Sequence, residues 1–261
     1  MVKIVPTKKI EKASLTKTKE ANAVVVDAKR LASFLSKINL GGLLNECVLH
    51  SGEDFVSASS IDPSNIIFLS VQEDIDISPL GDLGLGDIGI ISKFVSDCPT
   101  PELKLVKKIN RIVIAHSGVE LQYLLTDPTF ITTSVEGGKI DEIINNCKFS
   151  FKLTKEVKES FLYTTNLLKV KTASIVIEND KVFLTGGLAN EHNFRLYSGV
   201  LEEGPSDEKF TCSFYADYIK AVFSVLDFEE DEEPTIVFSP EYPMIVQEAN
   251  NSWAIFPLTL D

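Results

Sequence analysis

The sequence predicts an α+β chain of two similar halves, and three observations carry that prediction. The stretch 127–146 (DPTFITTSVEGGKIDEIINN) holds Pro128, a Gly137-Gly138 pair and few periodic apolar positions, so it reads as an extended connector. The same order of elements runs on each side of it: strand, amphipathic helix, several strands, short helix, several strands. A length of 261 residues also suits two units, at roughly 100–200 residues per domain. The expected layout is a basic extension over 1–21, a domain over 22–126, the connector, and a second domain over 147–261.

The first half opens on Ala23-Val24-Val25-Val26, a short strand, with Asp27 as helix N-cap. Leu31, Phe34, Leu35 and Ile38 then recur at the i, i+3, i+4, i+7 spacing of one helical face, and Gly41-Gly42 ends the helix. Strands are expected at 44–50, 54–59, 65–71 and 73–80, with Ser51-Gly52 as a hairpin turn. Gly81, Gly84 and Gly86 form a loop, and Asp87 caps a second helix with Ile88, Ile91 and Val95 inward and Lys93 outward. Pro99 and Pro101 stop it, and strands near 102–106, 111–116 and 119–126 complete the half.

After the connector, 148–153 (KFSFKL) alternates as a half-buried strand should, and Thr154 caps a helix carrying Val157, Phe161 and Leu162. Strands at 173–178 and 181–185 are joined by Asn179-Asp180, a hairpin turn pair. Strands near 193–200 and 209–214 lead to a helix from Ala216 to Leu226, with Ile219, Val222, Phe223 and Leu226 inward. An acidic loop over 227–233 precedes strands near 235–239, 243–248 and 253–258.

The formal net charge of −13 argues by itself against nucleic-acid binding. Its distribution argues the other way. The four expected helices hold eight basic residues (Lys29, Arg30, Lys37, Lys93, Lys155, Lys158, Lys169, Lys220) against three acids, Glu156, Glu159 and Asp217. The extension adds six lysines against Glu11 and Glu20, so the rest of the chain is strongly acidic. Helices that face phosphates while strands and loops face water would show this pattern. Lysine's own helix propensity is the plainer explanation, although glutamate shares it and the first two helices have none.

Other classes of chemistry find no support. The four cysteines are widely spaced with no C-x-x-C pair, which suits reduced thiols. The histidines His50, His116 and His192 stand alone, and no Walker loop, HExxH or nucleophile elbow occurs. The expectation is a protein that is not an enzyme and carries no cofactor or metal. No apolar run nears the ~18 residues of a membrane span, and no secretory core opens the chain, so an intracellular setting is expected: a host cytoplasm or a nucleus.

From about 22 to 258 the chain resembles the DNA sliding clamps, the processivity factors of the proliferating cell nuclear antigen type and their tailed-phage relatives. Four features carry the resemblance: AVVVDAKRLASFLSKI; the strand, Asp-Ser-rich turn and strand of SASSIDPSNIIFLSV; the ending IVFSPEYPMIVQEANNSWAIFPL; and the repeat across a long connector. The basic extension, compact strands before the connector and helices poorer in cations depart from the eukaryotic pattern. The resemblance implies two clamp domains, each with antiparallel sheets outside and two helices inside, closing as a homotrimer around double-stranded DNA. It implies that the edge strand near 119–125 (Val119, Leu121, Tyr123) pairs with the edge near 193–198 (Phe194, Leu196) of the next chain. The eight helix cations named above would face DNA without reading its sequence. DNA polymerase and clamp loader would dock through short peptide motifs on a pocket of Ile61, Ile66, Phe68, Phe130, Pro243, Phe256 and Pro257. Two rivals stand beside this reading: a regulatory clamp homologue in a hetero-oligomeric ring with a checkpoint or transcription role, and a β-rich structural or ligand-binding phage protein with no DNA role.

Overall fold

The computed structural model describes residues 22–135, 138–187, 190, 192–204, 209–228, 233–240 and 242–258. The basic extension and the centre of the acidic loop lie outside the described residues.

Local chemistry sets the helices. Helix α1 (Ala28–Asn39) follows strand β1 (Ala23–Asp27), and Asp27 accepts the Arg30 N–H at 2.8 Å, a cap that contributes about 1 kcal/mol. Leu31, Phe34, Leu35 and Ile38 are buried, and the helix ends where Leu40 and Gly41 turn left-handed. Strands β2 (Cys47–Ser51), β3 (Val56–Ile61), β4 (Ile67–Glu73) and β5 (Leu83–Leu85) lead to α2 (Ile88–Ser96), capped by Asp87 on the Ile90 N–H. Strands β6 (Glu102–Lys108), β7 (Arg111–His116) and β8 (Val119–Leu124) finish the first half.

The second half repeats the order element for element. It runs β9 (Phe149–Lys152), α4 (Lys155–Leu168), β10 (Thr172–Glu178), β11 (Lys181–Gly186), β12 (Phe194–Val200), β13 (Phe210–Tyr215), α5 (Ala216–Val225), β14 (Thr235–Phe238), β15 (Met244–Glu248) and β16 (Asn251–Ile255). Thr154 caps α4 through the Val157 N–H.

Three expectations are corrected. The glycine stretch 81–86 is not a loop throughout, since Leu83–Leu85 form β5 against β2. The strand near 73–80 does not form. Asp76 accepts the N–H and hydroxyl of Ser78, Pro79 has no N–H to give a ladder, and 78–80 close as a 3-10 turn that still buries Ile75, Ile77 and Leu80. The connector is not extended throughout either: it contains a 3-10 turn at Pro128–Phe130 and helix α3 (Lys139–Ile144). Ile140, Ile143 and Ile144 give α3 an apolar side, which packs on Phe68, Ile245 and Ala254.

The strands form sheets in the orders β1-β6-β7-β8, β12-β11-β10-β13 and β5-β2-β3-β4-β16-β15-β14-β9. The last is shared by both halves, joined where β4 pairs β16 antiparallel. On one side of the sheets the helices form a row, α1 lying against α2 and α5, and α5 against α4. The connector helix lies on the other face of the shared sheet, over β4 and β16. At the far end of that sheet, Gly84 on β5 lets the start of the connector pass close by, since a Cβ would fall 2.1 Å from the Thr126 carbonyl oxygen.

Candidate nucleic-acid interface, partner face and free edges

Several cations of the helix row are held by partners within the chain. Lys29, Lys93, Lys155 and Lys169 are exposed. Arg30 is half-exposed but bound to Glu73 at 3.3 Å and to the Asp74 carbonyl. Lys220 pairs with Asp217 at 2.6 Å. Lys158 donates to the Leu226 carbonyl at 2.7 Å and lies over the Phe228 ring; burial pulls its ammonium below the ordinary lysine range, against the opposing pull of Glu248, Asp227 and Glu159.

Lys37 does not face outward, which corrects the expectation for it. Its side chain is only 8% exposed, and Nζ lies 2.6 Å from the Glu248 carboxylate across the seam between the halves. Glu248 also accepts the Asp227 N–H, and the Trp253 indole donates to the Lys37 carbonyl at 3.1 Å. The lysine is a buried tie between α1 and the end of β15.

The residues expected to form a partner pocket divide. Ile66 and Phe256 meet, since the Phe256 N–H donates to the Ile66 carbonyl at 2.8 Å, and Pro257 follows half-buried. Ile61 is half-buried beside them, its N–H donating to Thr133 of the connector. Phe68 is instead covered by Ile140 of α3, and Pro243 is buried, so neither lines an open surface. Phe130 is 75% exposed, but its turn lies beside β5, three strands from β4 or about 14 Å at ~4.8 Å per strand. It does not join the group.

Strands β8 and β12 each end a sheet, and among the described residues neither carries a strand partner on its outer side. Leu121, Phe194 and Leu196 are half-buried against the core, and Val119 is exposed. Tyr123 is turned inward, its hydroxyl accepting the Asp87 N–H at 2.7 Å, so it offers the edge only its backbone. The repeat gives these edges meaning. Under it β8 corresponds to β16 and β12 to β4, the two strands that pair inside the chain.

Solved structures share this arrangement. PCNA of A. fulgidus bound to the C-terminal region of FEN-1 matches with TM-score 0.72 at 15% identity, over 92% of this chain and 99% of that one. The DNA polymerase III β subunit of Thermotoga maritima matches with TM-score 0.66 at 14% identity, over 96% of this chain and 69% of that one. PCNA of Thermococcus kodakaraensis matches with TM-score 0.65 at 14% identity, over 90% and 99%. The fold is that of the DNA sliding clamps. No protein-family model matches the chain, and no curated protein sequence matches it significantly.

Within this clamp fold the sequence reading missed two groups that hold the halves together. One is Glu248, described above. The other is Asp62, 2% exposed, which accepts the N–H groups of Ser64, Ile66 and Ile67 and the Tyr218 hydroxyl at 3.0 Å from α5 of the other half. Burial, and then the hydrogen bond to Asp62 and its charge, raise the Tyr218 hydroxyl above its ordinary range, so it stays protonated and donating. The Asp-Pro-Ser-Asn turn was a readable cue for Asp62; nothing local pointed to Tyr218. Among the described residues no group of histidine, cysteine and carboxylate side chains could hold a metal, and no helix is long and apolar enough to cross a membrane.

Proposed function

We propose that the chain is a DNA sliding clamp: three copies close into a ring around duplex DNA and tether a DNA polymerase for processive synthesis. The observation that carries this reading is the pair of free edges, β8 and β12, which correspond to the strands already joined within the chain. A heterologous contact of this kind makes a ring when its rotation closes, and closure would pair both of these edges. The helix row would then line the hole. Lys29, Arg30, Lys93, Lys155, Lys158, Lys169 and Lys220 supply its sequence-independent attraction to phosphates, and the acidic remainder repels DNA from the outside. Arg30 and Lys220 must exchange their carboxylate partners to do so, which suits weak, sliding contacts. Polymerase and clamp loader would dock by short apolar motifs beside Ile66, Phe256 and Pro257, where the connector borders the shared sheet. The protein would act as an intracellular scaffold and not as an enzyme.

Sedimentation velocity with negative-stain electron microscopy tests the assembly, and duplex binding against salt tests the hole. A six-lobed trimer with sequence-independent, salt-sensitive binding supports the reading. A monomer that ignores duplex DNA refutes it. A ring that forms only with a different chain would favour the hetero-oligomeric alternative.

A further inference from the structure

The internal joint between the halves also specifies the joint between chains, residue by residue. Both β7–β8 and β15–β16 turn through two residues, with His116 opposite Val119 and Glu248 opposite Asn251, so Leu121 corresponds to Trp253 and Glu120 to Ser252. The inward positions of β3 and β11 place Ser60 opposite Leu69 and Gly186 opposite Phe194, so Phe194 corresponds to Leu69 and Arg195 to Ser70. Inside the chain Trp253 pairs Leu69, and Ser252 pairs Ser70.

We infer that the subunit joint repeats this register, with Leu121 of one chain opposite Phe194 of the next and Glu120 opposite Arg195. The inference rests on the ring reading and adds which residues meet. Charge supports it independently: the alignment used strand pairing and burial alone, yet it brings a carboxylate and a guanidinium face to face on the exposed side of both strands. Arg195 is 46% exposed and lies over the Phe183 ring; it is paired with Glu178 at 2.7 Å and would share or exchange that carboxylate for Glu120 at the joint. Among the described residues Glu120 accepts from the neighbouring Gln122 amide at 2.8 Å.

The helices agree. Phe34 and Phe161 lie seven positions after the caps Asp27 and Thr154, and both are fully buried. By the same count Leu40 corresponds to Leu167. Leu40 is 1% exposed in a turn against α5, whereas Leu167 is 62% exposed. On α2, Phe94 is half-buried where its counterpart on α5, Val222, is fully buried. The apolar surface left open on α4 and α2 is thus the surface that the internal joint covers, and the occupant is a second copy of this chain.

Charge reversal and cross-linking test the register. Glu120→Arg and Arg195→Glu should each raise the concentration needed for assembly by about tenfold or more, and the combined reversal should restore it in sedimentation velocity. Glu120→Cys with Arg195→Cys should cross-link chains under mild oxidation, and Glu120→Cys with Tyr197→Cys, two residues out of register, should not. Should the double reversal misfold by circular dichroism, the cysteine pairs still decide. Assembly that ignores the single reversals, or cross-linking at Tyr197→Cys in place of Arg195→Cys, overturns the register and leaves the ring intact. A wild-type chain that stays monomeric overturns the ring reading and this inference with it.

Discussion

Lys37→Met separates a structural lysine from a DNA contact. Lys37 and Glu248 are 8% and 9% exposed and 2.6 Å apart, so removing the ammonium leaves a buried carboxylate that keeps the Asp227 N–H and the weaker pull of the Lys158 ammonium. Breaking such a pair costs about 3–5 kcal/mol. For a chain of this size that corresponds to a fall in Tm of roughly 10 °C. Glu248→Gln added to Lys37→Met removes the stranded charge and keeps an acceptor for Asp227, so it should recover most of the loss. Urea unfolding of the four chains, read as a double-mutant cycle, gives the coupling directly. In parallel, the slope of log affinity for duplex against log salt should match the wild type. A Lys37→Met chain of unchanged stability whose salt slope falls by about 1 would place the ammonium on a phosphate and refute the argument.

Lys93→Ala and Lys155→Ala should each reduce that salt slope, by up to ~0.9 per lost phosphate contact, while assembly is unchanged in sedimentation. Asp62→Ala strands three N–H groups and the Tyr218 hydroxyl, so a loss of about 2–4 kcal/mol is expected in urea unfolding. Phe256→Ala should weaken binding of a polymerase-derived peptide in calorimetry, whereas Phe130→Ala should leave it unchanged; the opposite order would move the pocket toward β5. Burial pushes the Cys147 and Cys212 thiols up to about 11, so little of either is thiolate at pH 8. Alkylation of both should stay slow until the pH approaches that value; rapid labelling at pH 8 in the native protein would contradict their burial.

What could be read from the sequence was local and periodic. The spacing of Leu31, Phe34, Leu35 and Ile38, with Asp27 before them, located α1, and Asp87 and Thr154 marked the next two caps. Helix α3 was hidden because Gly137-Gly138 and Pro128 read as loop chemistry, although Ile140, Ile143 and Ile144 were spaced for a helix. Lys37 stands three residues after Phe34, on the apolar side, and that position was a warning. Its carboxylate partner is 211 residues further along, where no local pattern reaches. The pocket divided for the same reason: Phe68 lies on β4 and Pro243 just before β15, and their covering depends on the fold as a whole.

The pairing of β4 with β16 also shapes how the chain must fold. Its partners, such as Ser70 and Ser252, are separated by about 180 residues, so the shared sheet closes only after most of the chain has been made. Until then β4 is an open edge beside β3. That interval is an opportunity for exchange: β4 of one nascent chain can take up β16 from another, giving a domain-swapped assembly with the same hydrogen bonds. Slow, concentration-dependent refolding from denaturant is the expected signature.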